Sequence, residues 1–203
     1  MDISATSGVT VIFPAYNEAG AVADEVRATQ AVMETLGRPF ELLVVDDGST
    51  DGTAEAAERA GARVLQHIGN RGYGTAIKTG IVAALYDTIV ISDADGTYPS
   101  ERIPDLLREL ETADMVVGAR VGPNVAIPLI RRPGKWLLGK LANRIAGCVI
   151  PDLNSGLRAF RRECVNQYLR ILSNQFSFTT TVTLAFLADD YQVRYVPIDY
   201  HAR

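Results

Sequence analysis

The feature that most constrains this chain is a rhythm: short extended runs alternate with longer segments of helical period. Candidate strands are Val9–Phe13, Leu42–Val45, Arg63–Gln66, Thr88–Ser92 and Met115–Val117. Helical patterns near Ala19–Leu36, Thr53–Ala60, Gly74–Leu85 and Ile103–Leu110 fill the gaps between them. Strand and helix in strict alternation build a mostly parallel sheet covered on both faces. The expected fold class is therefore α/β, a mostly parallel central sheet flanked by helices. After Gly118 the rhythm breaks. A strand is expected at Leu157–Phe160, helices near Glu163–Leu172 and Phe178–Asp189, and a last strand at Val193–Val196. There is no repeat, low-complexity tract or linker, and 203 residues suit a single domain with a sizeable core.

In sheets of this kind ligands bind beyond the carboxyl ends of the strands. Here those ends are polar. The first strand runs into Pro14-Ala-Tyr-Asn-Glu18, the second into Asp46-Asp-Gly-Ser-Thr-Asp-Gly-Thr53, and the fourth into Asp93-Ala-Asp95. Asp, Gly, Ser and Thr favour turns and helix caps for local reasons, so Ser49 or Thr50 could simply cap the following helix. Two neighbouring strand ends that each carry an aspartate pair are harder to explain locally, because like charges brought together call for a cation or a donor ligand. The glycine-rich segment Asn70-Arg-Gly-Tyr-Gly-Thr-Ala-Ile-Lys-Thr-Gly80 opens the third helix. A dinucleotide fingerprint would place Gly at Ile77 and a P-loop would place Gly before Lys78, so it matches neither. Glycines at a helix start can still let a ligand approach backbone N–H groups.

Composition closes off other classes. The 47% hydrophobic and 22% charged content is ordinary for a soluble globular protein, and no apolar run approaches the roughly 20 residues that span a bilayer. No secretory h-region opens the chain. Cys148 and Cys164 lack metal-ligand spacing and read as reduced core thiols, which suits a cytoplasmic setting. The net charge of −4 is unevenly spread: Val121–Ile150 holds Arg131, Arg132, Lys135, Lys140 and Arg144 with no acid, leaving −9 for the remainder. Within Lys135–Val149, Leu137, Leu141, Ile145 and Cys148 recur at helical spacing, with Leu138 and Val149 widening the same face beside Trp136. An ordinary amphipathic helix packed on the sheet would show this pattern too. A basic amphipathic helix can instead lie at a membrane surface, so residues 127–150 are expected to attach the chain peripherally.

The stretch Val90-Ile-Ser-Asp-Ala-Asp-Gly-Thr-Tyr-Pro99 fits two enzymes when read alone. It resembles the first motif of haloacid-dehalogenase-type phosphatases, in which Asp93 would attack phosphorus, and also the Asp-x-Asp motif of nucleotide-sugar glycosyltransferases. The phosphatase reading leaves PAYNE and DDGSTDGT unexplained and becomes the alternative. Taken together, FPAYNE, VVDDGSTDGT, NRGYGTAIKTG, SDADGTYP, VGAR, DLNSGLRAF, FSFTTTVTLA and VPIDYHAR follow the order of the family-two glycosyltransferases. They resemble the dolichol-phosphate mannosyltransferase and polyprenyl-phosphate glycosyltransferase branch from about Val9 to Arg203.

The resemblance implies a GT-A fold with a nucleotide-sugar-binding half at about 9–118 and an acceptor half at about 119–203. It implies that Pro14, Tyr16, Glu18 and Asp46 or Asp47 line the base and ribose, with Lys78 on the nucleotide side. Asp93 and Asp95 would hold Mg²⁺ or Mn²⁺ on the diphosphate, and transfer would proceed by single displacement with inversion. Thr97 departs from the pattern, since dolichol-phosphate mannosyltransferases often have Gln there. Chemistry adds the acceptor. A polyprenyl phosphate is already ionised near neutral pH and asks for positioning more than for a base. Planar guanidinium forks suit it, so Arg120, Arg131, Arg132 and Arg158, with Ser155, are the expected acceptor-phosphate site, and Asp95, Arg120 and Arg158 the expected catalytic group. A sugar-hydroxyl acceptor would instead require a base, for which Asp189 or Asp190 would be the candidate. A degenerate domain that binds a nucleotide sugar without turning it over is the third reading. The expected partners are a nucleotide sugar, a polyprenyl phosphate and the cytoplasmic face of a membrane, with no nucleic acid.

Overall fold

The computed structural model describes residues 8–121 and 149–200. Among these residues seven strands and six α-helices follow in order: β1 (Val9–Ala15), α1 (Val22–Thr35), β2 (Phe40–Asp46), α2 (Thr53–Arg59), β3 (Arg63–Gln66), α3 (Tyr73–Ala83), β4 (Thr88–Ile91), α4 (Ile103–Glu109), β5 (Met115–Ala119), β6 (Arg158–Arg161), α5 (Arg162–Asn166), α6 (Phe178–Ala188) and β7 (Val193–Pro197). The strands form one sheet in the order β3-β2-β1-β4-β6-β5-β7. Only β6 runs antiparallel to its neighbours, inserted between β4 and β5. The α/β expectation holds, and every expected strand is present.

Both faces of the sheet are covered, and the strand residues show it by alternating between two cores. Val9, Val11 and Phe13 of β1 pack with Val26, Met33 and Leu106 from α1 and α4. Their neighbour Ile12 points to the other side, where Ile77 and Ile81 of α3 and Phe178, Val182 and Phe186 of α6 lie. β2 splits the same way, Val44 to the first core and Leu43 and Val45 to the second. Strands buried on both faces read as continuous apolar runs, which is why they stood out in the sequence.

Two helices differ from expectation. The first starts at Val22 and not at Ala19, because the Glu18 and Ala19 amides donate instead to Thr53 Oγ1 and Asp51 Oδ2, at 2.8 and 3.1 Å. The helix expected over Glu163–Leu172 stops at Asn166. Beyond it the Tyr168 and Ile171 amides reach only three residues back, to Val165 and Tyr168, so the chain tightens into turns. No helix among the described residues is long and apolar enough to cross a membrane. The basic segment, with Arg131, Arg132, Lys135, Lys140 and Arg144, lies outside the described residues, as does His201.

Candidate active site

The topology brings the polar segments to one edge. β1, β2, β4 and β5 are mutually parallel, so the residues that follow them (Tyr16, Asp47, Asp93 and Arg120) emerge on the same side. Because β6 is antiparallel, it is its beginning that arrives there: Arg158 pairs in register with Ile91 and Val117, and Ser155-Gly156 lie just before it.

The first two motifs are stitched to each other. Asn17, in a left-handed conformation at φ 56°, accepts the Thr50 amide at 3.0 Å through Oδ1, while its own amide donates to Ser49 Oγ at 2.8 Å. Pro14 is buried within β1, and the Tyr16 side chain stands 48% exposed at its end. Asp46 and Asp47, one or the other of which was expected to line the base and ribose, are both buried and both accept hydrogen bonds from this framework. Asp46 accepts from the Ser49 amide and from Gln66 Nε2, both at 3.0 Å. Asp47 accepts the Arg71 amide at 2.9 Å and the Gly72 amide at 2.7 Å, and meets His67 Nδ1 at 2.6 Å. His67 bridges on to Thr79 Oγ1 at 2.9 Å and is structural. The anion caught by the glycine-rich loop is thus the chain's own Asp47.

The same loop meets the later part of the chain. Gly72 has φ +99°, a conformation that disfavours other residues, and a Cβ there would sit 2.5 Å from the Asn174 carbonyl oxygen. The Thr75 amide donates to that carbonyl, and Lys78 Nζ donates to the Leu172 carbonyl and to Asn174 Oδ1 at 2.8 Å. Lys78 therefore ties α3 to residues 172–174, a different task from the nucleotide contact expected of it. Between the glycines, the Tyr73 ring stacks on Phe176, with centroids 5.2 Å apart and planes 18° apart.

Asp93 and Asp95 follow β4 and are both partly exposed. Tyr73 donates its hydroxyl to Asp93 Oδ1 at 2.8 Å. The Asp93 carboxylate packs directly on Gly156, where a Cβ would come within 2.6 Å of Oδ2, so only glycine leaves it room. The Gly156 amide in turn donates to the Tyr98 hydroxyl at 2.7 Å. Asp95 Oδ1 accepts the Thr97 amide at 3.1 Å and the Thr97 hydroxyl at 2.6 Å. Thr97 is buried and serves to hold Asp95. Behind the pair lies Glu25 of α1, 6% exposed and unremarked in the sequence.

The electrostatics of this cluster fit a cation. Burial, offset in part by the Tyr73 hydrogen bond and reinforced by Asp95, pushes the Asp93 carboxyl up to about 6. Burial and then Asp95 push Glu25 up to about 7. Acids raised by one another are acids whose joint ionisation a positive charge would favour. Two hard carboxylates are also what a Mg²⁺-like ion takes from a protein when substrate phosphates supply further oxygens.

The arginines divide. Arg120 holds Asp152 in a bidentate pair, Nε to Oδ2 at 2.7 Å and Nη2 to Oδ1 at 2.9 Å, and its guanidinium lies 5.2 Å over the Tyr200 ring. Tyr200 meets Tyr98 edge-on at 5.3 Å, so Arg120 belongs to the wall that also braces Gly156. Arg158 is fully buried. Its Nη1 donates to the Thr179 carbonyl and Thr183 Oγ1, both at 3.1 Å, and its Nη2 to the Ser155 carbonyl at 2.7 Å. The expectation that Arg158 grips an acceptor phosphate is corrected on that ground: its donors secure the Ser155–Gly156 turn. Ser155 is likewise fully buried. Asp189, whose carboxylate accepts from Tyr168, and Asp190 precede β7, on the amino-end side of the sheet away from this crevice.

Comparison with known proteins agrees with this geometry. Residues 10–169 match the family model described as "Glycosyl transferase family 2". An undecaprenyl-phosphate 4-deoxy-4-formamido-L-arabinose transferase of Klebsiella pneumoniae subsp. pneumoniae is 35% identical over 184 residues, 83% of this chain and 56% of that protein. The transferase of the same name from Salmonella paratyphi A is 34% identical over 175 residues, 83% of this chain and 53% of that protein. The chain thus spans little more than half the length of these curated relatives. Among solved structures, Mycobacterium tuberculosis glucosyl-3-phosphoglycerate synthase in complex with Mn²⁺, uridine diphosphate and glucosyl-3-phosphoglycerate superimposes with TM-score 0.77 at 22% identity, covering 97% of this chain and 72% of that one. The same enzyme with Mg²⁺ and uridine diphosphate gives TM-score 0.78 at 21% identity, covering 97% and 72%. The sheet order, the matched residues and these likenesses agree: the chain has the GT-A fold and belongs to glycosyl transferase family 2.

Proposed function

We propose that this chain transfers a sugar from a UDP-sugar to a polyprenyl phosphate, with a divalent cation and with inversion. The observation that carries the reading is the Asp93–Asp95 pair at the carboxyl end of β4, each carboxylate held by its own hydroxyl donor. Bound there, Mg²⁺ or Mn²⁺ would neutralise the diphosphate as it leaves. Asp93 and Asp95 are the residues that would hold it. Tyr16, exposed at the end of β1, would meet the base and ribose together with Glu18. The choice of uridine rests on the uridine diphosphate bound by the structural relatives.

The acceptor follows from charge. The names of the curated relatives specify undecaprenyl phosphate, and an ionised phosphate asks for a fixed cation and no base. Arg120 supplies a guanidinium held rigid by Asp152 at the end of β5. Asp189 and Asp190, the base candidates, are on the wrong side of the sheet to serve a hydroxyl acceptor. In this reading residues of about 9–118 bind the donor and about 119–203 the acceptor, with Arg131 and Arg132 added from the basic segment. That segment, about 127–150, would bring the chain peripherally to the cytoplasmic face of the membrane in which the lipid resides. A phosphatase using Asp93 as nucleophile is set aside by the family match.

Product analysis tests the proposal. A UDP-[¹⁴C]sugar panel, Mn²⁺ and undecaprenyl phosphate in detergent should give a radiolabelled, acid-labile lipid that requires metal. Transfer to neutral saccharides with none to the lipid phosphate would refute it.

A further inference from the structure

We infer that Tyr73 is a positioning residue that fixes the rotation of the Asp93 carboxylate, engaging Oδ1 so that Oδ2 is the oxygen left to a divalent cation. The inference rests on the reading that Asp93 and Asp95 hold that cation. Its ordinary alternative is that Tyr73 merely satisfies its hydroxyl on a convenient acceptor, as partly buried tyrosines do.

Three observations favour positioning. The first is the hydrogen bond itself, 2.8 Å from the Tyr73 hydroxyl to Asp93 Oδ1, which stops the carboxylate rotating about its own axis. The second is that the carboxylate packs against backbone on one side. Gly156 lies flat against it, close enough that a Cβ would stand 2.6 Å from Oδ2 and 2.8 Å from both Cγ and Oδ1.

The third is how firmly Tyr73 is held. Asp47 takes the two amides before it, those of Arg71 and Gly72. Gly72 and Gly74 on either side let the backbone of residues 173–175 press close, with a Cβ at Gly74 falling 2.2 Å from the Ser173 carbonyl oxygen. Phe176 then stacks on the ring, although its side chain is otherwise 79% exposed. A tyrosine whose only task is to satisfy itself would not require this scaffold. A carboxylate that ligates a metal does require its other oxygen to be held, and losing such a partner typically costs 10–100-fold in metal affinity.

The chain's role in binding is therefore read with Mn²⁺ itself. Free Mn²⁺ is followed by electron paramagnetic resonance during titration of the protein in saturating UDP, alongside thermal melting. Tyr73→Phe keeps the ring and its stack on Phe176 and deletes only the donor. It should weaken Mn²⁺ binding about 10–100-fold and leave the melting temperature in metal-free buffer within about 2 °C. Donor turnover by this variant should be restored by raising Mn²⁺, the mark of a lost affinity and not of a lost fold. Mn²⁺ affinity within twofold of the parent would overturn the inference. If the parent binds no Mn²⁺ in UDP, or binds it equally after Asp95→Ala, the metal reading fails and the inference with it, a result distinguishable from the first. Should Tyr73→Phe not fold, Phe176→Ala, made at an exposed ring, carries the test. Several-fold weaker Mn²⁺ binding would then support positioning, and unchanged binding would refute it.

Discussion

Glu25 offers a stability measurement that isolates the electrostatics of the site from its chemistry. Its side chain is 6% exposed in the first turn of α1, facing Asp95, Glu101 and Asp93. Burial first, then Asp95, raises its carboxyl from the ordinary 4.5 to about 7, with Thr29 pulling weakly the other way. A carboxyl raised on folding binds more protons in the folded chain than in the unfolded one between those two values. Its relative stabilisation is therefore complete below pH 4.5 and lost as pH rises through 7. The span corresponds to roughly 3 kcal/mol, or on the order of 10 °C in Tm for a chain of this size. Glu25→Gln removes the ionisation and keeps the shape. Urea unfolding of both proteins from pH 4 to pH 8 should give nearly equal stabilities at the acid end and a variant more stable by about 3 kcal/mol at pH 8. Adding Mn²⁺ with UDP at pH 8 should narrow the gap, because positive charge beside Asp93 and Asp95 relieves Glu25 too. Parallel curves, or a parent more stable than the variant at pH 8, would refute the reasoning.

Two glycines separate function from fold. Gly156→Ala should abolish most metal-dependent nucleotide binding at little cost in Tm, because the atoms a methyl would strike are those of the Asp93 carboxylate, the movable end of a side chain. Gly74→Ala should do the opposite first: the obstruction is backbone at Ser173 and Asn174, so destabilisation of about 1–3 kcal/mol is expected in urea unfolding, with any loss of binding following from it. The first account fails if Gly156→Ala binds nucleotide and Mn²⁺ like the parent. The second fails if Gly74→Ala unfolds at the parent's midpoint.

The strands were legible because burial on both faces makes each a continuous apolar run, and the strand ends were legible because paired acids on neighbouring strands are hard to explain by local turn chemistry alone. What each acid does was not. Asp47 and Asp93 look alike in sequence, yet Asp47 is consumed by amides of Arg71 and Gly72, some twenty-five residues on, and Asp93 is not. Arg158 illustrates a signal that was present but unused. In a strand, residues two apart share a face, so Arg158 goes with Phe160 into the core under α6, while Leu157 and Ala159 go to the other. Applied to β6, that alternation would have moved Arg158 from the acceptor site to the core. Tyr73, Gly156 and Glu25 carried no such signal. Tyr73 was the unspecified residue between two glycines, Gly156 a turn residue, and Glu25 an ordinary first-turn acid. Their importance comes from contacts across 20 residues or more that only the folded chain creates.

The account rests on the carboxyl end of β4 holding a nucleotide diphosphate through a cation, and calorimetric titration of UDP with and without Mn²⁺ tests it most directly. The parent should bind UDP at least tenfold more tightly in Mn²⁺ than in chelator, and Asp95→Ala should lose that difference while keeping the parent's melting temperature within a few degrees. Metal-dependent binding that survives Asp95→Ala unchanged, or UDP binding by the parent that ignores Mn²⁺ altogether, would contradict it.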